Sequence, residues 1–293
     1  MDERKKGLFM VCLGASMWGG SGVAGQYLLQ DCGLSAGWLV VSRMLLAGVI
    51  LLAVDLFQYK ESILRVWRDK KDAWDLMLFA IFGLLAVQYT YFASIKCGNA
   101  AAATVLQYLM PIFIVGYTAV TSRKLPQLIE LICVTMAIGG TFLLVTHGNV
   151  HKLSIPLPAL LWGVSSAVAA AVYTMKPKRL IRKWRPTLII GWGMLVGGIF
   201  LTPFCPPWQV PGEWTVLSSI VYAYVIIFGT VVAFGFYLGS IKYIQPAEAS
   251  ILGAVEPLAA ILLSIAFLQA SFGLMDIGGT VLIIGTVFLL AKR

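Results

Sequence analysis

Charge is what this sequence has least of. Asp, Glu, Lys and Arg make up 12% of its 293 residues, while 59% are hydrophobic; a water-soluble domain carries roughly 25% charged residues. So little polar sequence cannot enclose so much apolar sequence, which excludes a soluble enzyme of the usual kind. Disordered, collagen-like and coiled-coil readings fail on the same composition. Histidine occurs only as His147 and His151, four apart with no further ligands nearby, so no metal centre is expected. No HExxH motif and no P-loop occurs, which argues against a zinc hydrolase and against ATP-driven work by this chain alone. No cofactor is expected. The five cysteines, Cys12, Cys32, Cys97, Cys133 and Cys205, are odd in number and scattered. Cys12 and Cys133 fall inside apolar runs, so no disulfide framework is implied; a Cys32–Cys97 bridge is the one pairing left open.

What the sequence has in excess is long uncharged runs. They cover 7–30, 76–95, 97–122, 131–151, 153–175, 186–212 and 214–241, and each is long enough to cross ~30 Å of hydrocarbon as a helix. With Pro, Gly and charge clusters as punctuation, the pattern predicts an all-α polytopic membrane protein of ten transmembrane helices. These lie near 8–29, 34–57, 75–95, 100–121, 126–146, 156–176, 187–204, 215–239, 246–268 and 272–291. The first follows Arg4-Lys5-Lys6 but exceeds the ~7–15 apolar residues of a signal peptide, so it reads as an uncleaved span. Lys and Arg are retained on the cytoplasmic side. With both termini placed there, 19 of the 22 basic residues fall inside, only Lys96 and Lys152 fall outside, and Arg43 lies within a span. The net charge of +9 therefore reads as topological. The basic clusters hug the membrane and lack a nucleic-acid module, so no nucleic acid is expected as partner.

The chain is also written twice. Shifted by 146 residues, Tyr91-Phe-Ala-Ser-Ile-Lys96 falls on Tyr237-Leu-Gly-Ser-Ile-Lys242, Leu106 on Leu252 and Pro111 on Pro257. Positions 91–144 and 237–290 share 14 identities in 54. Trp18-Gly19 can be laid on Trp162-Gly163 with a shift of 144. The expected halves are 1–147 and 148–293. Five helices each is an odd number, so the second half enters the membrane upside down, and the repeats are inverted. Inverted repeats recur in secondary transporters, with the solute site near mid-membrane.

Two five-helix halves, the tract Ser94-Ile-Lys96 with Ala100-Ala-Ala-Ala103 before Pro111, and Ser240-Ile-Lys242 with Pro-Ala-Glu-Ala-Ser250 before Glu256-Pro257 resemble the EamA-type branch of the drug/metabolite transporter superfamily. Gly139-Gly140 and Gly278-Gly279 in two late spans fit it too. The resemblance covers essentially the whole chain. It implies a carrier of small organic metabolites working by alternating access, with a cavity lined by the first, third and fourth helices of each half. One departure is visible: such repeats often carry a glutamate just after the fourth helix. Ser122-Arg123-Lys124 and Gln269-Ala270 stand there instead, so that acid's role does not transfer.

Ionisable side chains inside a bilayer cost ~2.5–3.5 kcal/mol each on insertion scales and usually face a cavity or a partner. Arg43 and Glu256 each lie about ten residues into a span of ~20, near the midplane. They read as a substrate-binding or coupling pair, or else as a structural ion pair. Met110 stands where the repeat places Glu256, so the acid breaks the symmetry. Gln88, Gln107, Tyr108, Tyr91, its repeat mate Tyr237, and Ser250 are polar candidates for solute contact or for helix-to-helix hydrogen bonds. Trp18 and Trp162 lie well inside their spans, away from the interfacial belt, and are candidates to stack on a solute. Pro111 and Pro257 free a carbonyl one turn back and are candidate hinges. Glu130 and Asp276, equivalent under the shift, and Glu248 in a first helical turn read as structural acids. Gly193-x3-Gly197 and Gly235-x3-Gly239 read as close-packing motifs.

The function expected is secondary or facilitative transport of small organic metabolites, amino acids or related compounds, in the direction of export. Import of a cationic solute such as a quaternary amine is the alternative, and coupling to protons or ions stays open. An intramembrane enzyme or a channel is the rival of a different class. An enzyme lacks its nucleophile-base or metal set here.

Overall fold

A computed structural model describes residues 3–123, 127–149 and 154–291, and among these every regular element is helical. Seven helices are long and apolar enough to cross a membrane: Glu3–Asp31, Ala36–Tyr59, Lys70–Cys97, Ala100–Thr121, Leu128–Thr146, Leu157–Lys183 and Val216–Ser240. Pro186–Leu201, Val255–Leu268 and Leu274–Leu290 are shorter apolar helices.

In chain order the helices are α1 (Glu3–Asp31), α2 (Ala36–Tyr59), α3 (Lys70–Cys97), α4 (Ala100–Gln107), α5 (Met110–Ser122), α6 (Leu128–Thr146), α7 (Leu157–Met175) and α8 (Lys178–Lys183). There follow α9 (Pro186–Leu201), α10 (Val216–Ser240), α11 (Pro246–Gly253), α12 (Val255–Leu268) and α13 (Leu274–Ala291). Local chemistry sets the starts. Ser35, Asp69, Asn99 and Thr215 each accept a main-chain N–H from the first turn of α2, α3, α4 and α10, as N-caps do. The carboxylate of Glu130 accepts from Gln127 N, and that of Asp276 from Gly273 N. These two acids, 146 apart, close the first turns of equivalent helices, the structural role expected of them. Glu248 does the same for Gln245 N while pairing with Arg4 at 2.7 Å.

Chain breaks recur at the 146-residue spacing as well. Proline lacks an N–H and its ring crowds the carbonyl four residues back. The helix ahead of Pro111 ends at Gln107 and the helix ahead of Pro257 ends at Gly253, positions 146 apart. Two wide π-helical turns, Phe79–Leu85 in α3 and Ile227–Val232 in α10, hold Gly83 and Gly229, again 146 apart.

Equivalent helices pack side by side and antiparallel. In α2 and α9, Gly48 meets Leu195, Leu52 meets Gly191 and Leu45 meets Gly198, so one number rises as the other falls. In α6 and α13, Met136 meets Gly285, Gly140 meets Gly279 and Ile283, and Leu144 meets Gly279. A methyl group on Gly140 would stand 2.7 Å from the Gly279 carbonyl, and one on Gly279 2.6 Å from that of Gly140. Only hydrogen permits this approach. The other contacts come in matched sets: α3 and α4 pack on α7 while α10 and α11 pack on α1. The Gly235-x3-Gly239 expectation is corrected at Gly235 alone: a methyl group there meets nothing within 4 Å among the described residues, while one on Gly239 would stand 2.7 Å from Met10, and Gly193 and Gly197 lie against Phe79 and Met44.

One end of the bundle is stitched. Gln26 in α1 accepts the Ala100 N–H at 2.8 Å, and Gln30 donates to the Ile95 and Gly98 carbonyls, both at 2.8 Å. Two α1 amides thus satisfy the chain ends left over where α3 stops and α4 starts. At the other end are ion pairs. Asp72, fully buried, meets Arg179 at 2.7 Å and Lys183 at 2.6 Å, and Asp55, also fully buried, meets Arg185 at 2.8 Å. All five cysteines are free thiols.

Candidate functional site

A cavity of about 300 Å³ lies between the halves, floored by α1, α3 and α4 and walled by α7, α10 and the turn from α11 into α12. The structure brings nine of the residues singled out above into its lining: Trp18, Arg43, Gln88, Tyr91, Gln107, Tyr108, Pro111, Tyr237 and Glu256. A wider open groove of about 690 Å³, around Arg4 and Lys242, is spanned by the Arg4–Glu248 pair and lies at the bundle's edge.

Each polar group in the cavity has its place for a local reason. Tyr108 sits at the break after Gln107 and donates to the Gly253 carbonyl at 2.6 Å, with Glu256 Oε2 at 3.2 Å. Gly253 is the residue whose carbonyl Pro257 frees, so one helix break supplies an acceptor to the tyrosine of the other. Tyr91 shares a 2.8 Å hydrogen bond with Thr104, and Gln107 donates to Ser166 at 2.9 Å, tying α4 to α7. Gln88, 8% exposed, has no hydrogen-bond partner among the described residues and lines the cavity. Trp18 packs against Phe234 and Tyr237, with both ring-centroid distances 5.0 Å, and makes an aromatic wall.

Arg43 is 5% exposed. Its Nε donates to Thr230 Oγ1 at 2.7 Å, its Nη2 to the Gly229 carbonyl at 3.0 Å, and its guanidinium lies over the Phe92 ring at 5.2 Å. That carbonyl lies in the π-helical turn of α10. The structural ion pair weighed for Arg43 and Glu256 is not formed: among the described residues no nitrogen–oxygen approach within 4.0 Å joins them. Arg43 is claimed instead by the Thr230 hydroxyl and the Gly229 carbonyl of α10, which no sequence pattern announces.

Three other expectations land elsewhere. Trp162 is 37% exposed, stacked edge-on to Tyr89 at 5.8 Å, and does not line the cavity. The 146 shift that pairs the later helices does not extend to α1 and α7: in α7 it is Ala170, Tyr173 and Thr174 that line the cavity, and not Trp162. Ser250 lies in α11, and its side chain is outside the described residues. Pro257 shapes the cavity through Gly253 without lining it. His151 is outside the described residues, and His147 closes α6 with its ring nitrogen 2.7 Å from Asp276. No group of metal-ligating side chains occurs among the described residues.

Lining residues that the sequence reading did not propose include Ser21, Tyr173, Thr174 and Phe234. Phe234 was within reach, since the 146 shift carries Gln88 onto it. Tyr173 and Thr174 close a face of small residues in α7 (Ala167, Ala170), a pattern indistinguishable from helix packing.

Apolar helices too numerous and too exposed for water, wrapped around a central, mostly apolar cavity that holds a few polar and charged groups, define a polytopic membrane protein with a solute-sized site. Comparison with known proteins gives the class its family. Residues 5–146 and again 157–292 match the EamA-like transporter family. The chain belongs to that family; it is a multi-pass transporter of the cell membrane, and not an enzyme. A Salmonella typhimurium protein described as the uncharacterized inner membrane transporter YicL is 40% identical over 99% of this chain and 97% of its own length. The aromatic amino acid exporter YddG of Ancylobacter novellus is 25% identical over 76% of this chain and 79% of its own. A solved crystal structure at 19% identity has a TM-score of 0.62, covering 99% of this chain and 96% of that one, and so shares the fold.

Proposed function

We propose that this protein carries small organic solutes, amino acids or close relatives, by alternating access of the central cavity, with export as the working direction. The observation that carries the reading is the Tyr108–Gly253 bond, which joins the two helix breaks beside a cavity lined from both halves. A carrier needs a site that both halves share and can uncover in turn.

In this reading α1 to α6 form the first five spans and α7 to α13 the second five. The shorter helices α9, α12 and α13 complete ten spans, with 1–147 and 148–293 as the halves. The antiparallel α2–α9 and α6–α13 pairs support inversion, and the basic clusters support cytoplasmic termini. The cavity lining runs to Thr174, in the last turn of α7, on the side this topology makes cytoplasmic. Beyond Ser21 the opposite side is filled by Tyr91 against Gly22 and Phe92 against Gly25, under the Gln26 and Gln30 stitches. Substrate enters from the cytoplasm in this arrangement.

The printed name of the relative YddG supports aromatic amino acids as first solutes to try. The aromatic wall beside Glu256 also suits a cationic solute such as a quaternary amine. Counterflow in proteoliposomes separates these readings. Vesicles preloaded with unlabelled phenylalanine should take up labelled phenylalanine transiently and saturably, and choline-loaded vesicles should not. Protein-free rates with every amino acid and quaternary amine tested would remove the carrier reading for these solutes.

A further inference from the structure

Two opposite charges line one cavity without meeting. Arg43 spends Nε and one Nη2 hydrogen on Thr230 and Gly229. Its Nη1 has no partner among the described residues, yet it is not sealed away from the cavity surface. Glu256 holds only the 3.2 Å contact of its Oε2 with Tyr108, whose single proton points at the closer Gly253 carbonyl. Its Oε1 has no partner among the described residues. Gln88, in the same cavity lining, offers an amide donor and acceptor with no partner among the described residues. Polar groups withdrawn from water and left unpaired are costly, and in hydrocarbon more so. Direct pairing would have been the cheapest remedy. The Arg43 side chain is held away from it by α10.

We propose that Arg43 and Glu256 receive the two ends of one zwitterion, an α-amino acid with its carboxylate on Arg43 Nη1 and its ammonium on Glu256 Oε1. This deepens the carrier reading and rests on it for the identity of the site. A guanidinium presents a planar set of donors that matches a carboxylate, and a carboxylate accepts from an ammonium. The solute is then the missing bridge: it neutralises both residues at once, and a molecule with one charged end leaves the other residue unpaired. Trp18, Phe234 and Tyr237 form the apolar wall for the solute side chain, which favours an aromatic or large aliphatic one. The cavity volume is at the small end of ligand pockets, ~300–1,000 Å³, so a single amino acid fits the scale better than a peptide. Selectivity arises from paired ends, since a site built to bind a charged group rejects the analogue that lacks it.

The test is equilibrium binding to the purified full-length protein in detergent, with three probes: phenylalanine, phenylalaninamide without the carboxylate, and 3-phenylpropionate without the ammonium. Phenylalanine should bind roughly ten- to a hundredfold more tightly than either analogue, the range for one hydrogen bond to a charged group. Arg43→Gln should erase the preference over the amide and keep that over phenylpropionate. Glu256→Gln should do the converse. Equal binding of the three probes to the unaltered protein, no saturable phenylalanine binding, or variants that weaken all three alike would overturn the proposal. The probe series on the unaltered protein decides the matter even where a variant does not fold. Binding needs no transport, so failed counterflow with the probe order intact removes the carrier reading and leaves the site. Working counterflow without the probe order removes only this inference.

Discussion

The Tyr108 hydroxyl donates to the Gly253 carbonyl over 2.6 Å, and the two residues stand at helix breaks that the repeat makes equivalent. Proline causes both breaks, since Pro111 and Pro257 each strip the helix of the bond one turn back. The carbonyl freed in one half thus satisfies the side chain of the other, and Glu256 lies beside the junction. Interhelical hydrogen bonds in membranes average about 0.6 kcal/mol and reach about 1.7. Tyr108→Phe should therefore lower thermal stability by a small amount in that range, while slowing counterflow several-fold. Unaltered exchange in that variant would make the bond a scaffold contact alone.

The Gln26 and Gln30 stitches define a second prediction. Their main-chain partners are Ala100 N and the Ile95 and Gly98 carbonyls. The repeat counterpart of Ala100 is Pro246, which has no N–H to give, so only one end of the molecule can be closed this way. Replacing both glutamines by leucine should speed amide hydrogen exchange in 98–104 by roughly three- to twentyfold, if each bond is worth the ~0.6–1.7 kcal/mol typical of membranes. Unchanged exchange there would mean that the stitches do not hold the end shut.

Glycines that look alike in sequence should behave differently. Gly140→Val forces a side chain against the Gly279 carbonyl, and overpacking of this kind costs ~1–3 kcal/mol. Gly139→Ala meets nothing within 4 Å among the described residues and should be neutral or raise stability by ~0.5–1 kcal/mol. Thermal unfolding in detergent measures both. The reverse order would contradict the antiparallel α6–α13 contact.

Much of this architecture is legible in the sequence because it rests on period and repetition. Apolar runs located the helices, and the 146 shift set Pro111 against Pro257 and Glu130 against Asp276, where the helix breaks and the capping acids fall. Arg43 and Glu256 stood out because a bilayer makes charge conspicuous. Their partners did not, since Thr230 and the Gly229 carbonyl lie in a π-helical turn of α10 that no residue pattern marks. Trp162 was misplaced by laying it on Trp18, whereas α7 turns Ala170 and Tyr173 to the cavity and leaves Trp162 outside the lining. Trp18→Ala should therefore reduce counterflow at least several-fold, while Trp162→Ala should leave it within about twofold of the unaltered protein. Equal losses would return Trp162 to the site.

Acid should loosen the end opposite the stitches. The Lys183 ammonium and the main-chain amides of Lys71 and Asp72 hold the Asp69 carboxyl below its usual range, and Arg185 does the same for Glu61. A depressed carboxylate stabilises the fold above its unfolded pKa, ~3.9 for Asp and ~4.3 for Glu. That contribution disappears as the pH falls through the lower folded value. Both groups are exposed, so the effect should be small and weaken with salt. Unfolding temperatures between pH 6 and pH 3 should fall less steeply in Lys183→Gln than in the unaltered protein; parallel curves would contradict the assignment.

The central claim is one cavity reached in turn from both faces. It is tested most directly by a cysteine at Ser21, in a protein otherwise free of cysteine, probed by a membrane-impermeant maleimide in vesicles of known orientation. The account predicts labelling from the cytoplasmic face, slower labelling from the outer face, acceleration of the outer reaction by Gln26→Leu with Gln30→Leu, and protection from both faces by phenylalanine. Labelling from one face only under every condition, or from both faces with no protection by solute, would contradict it.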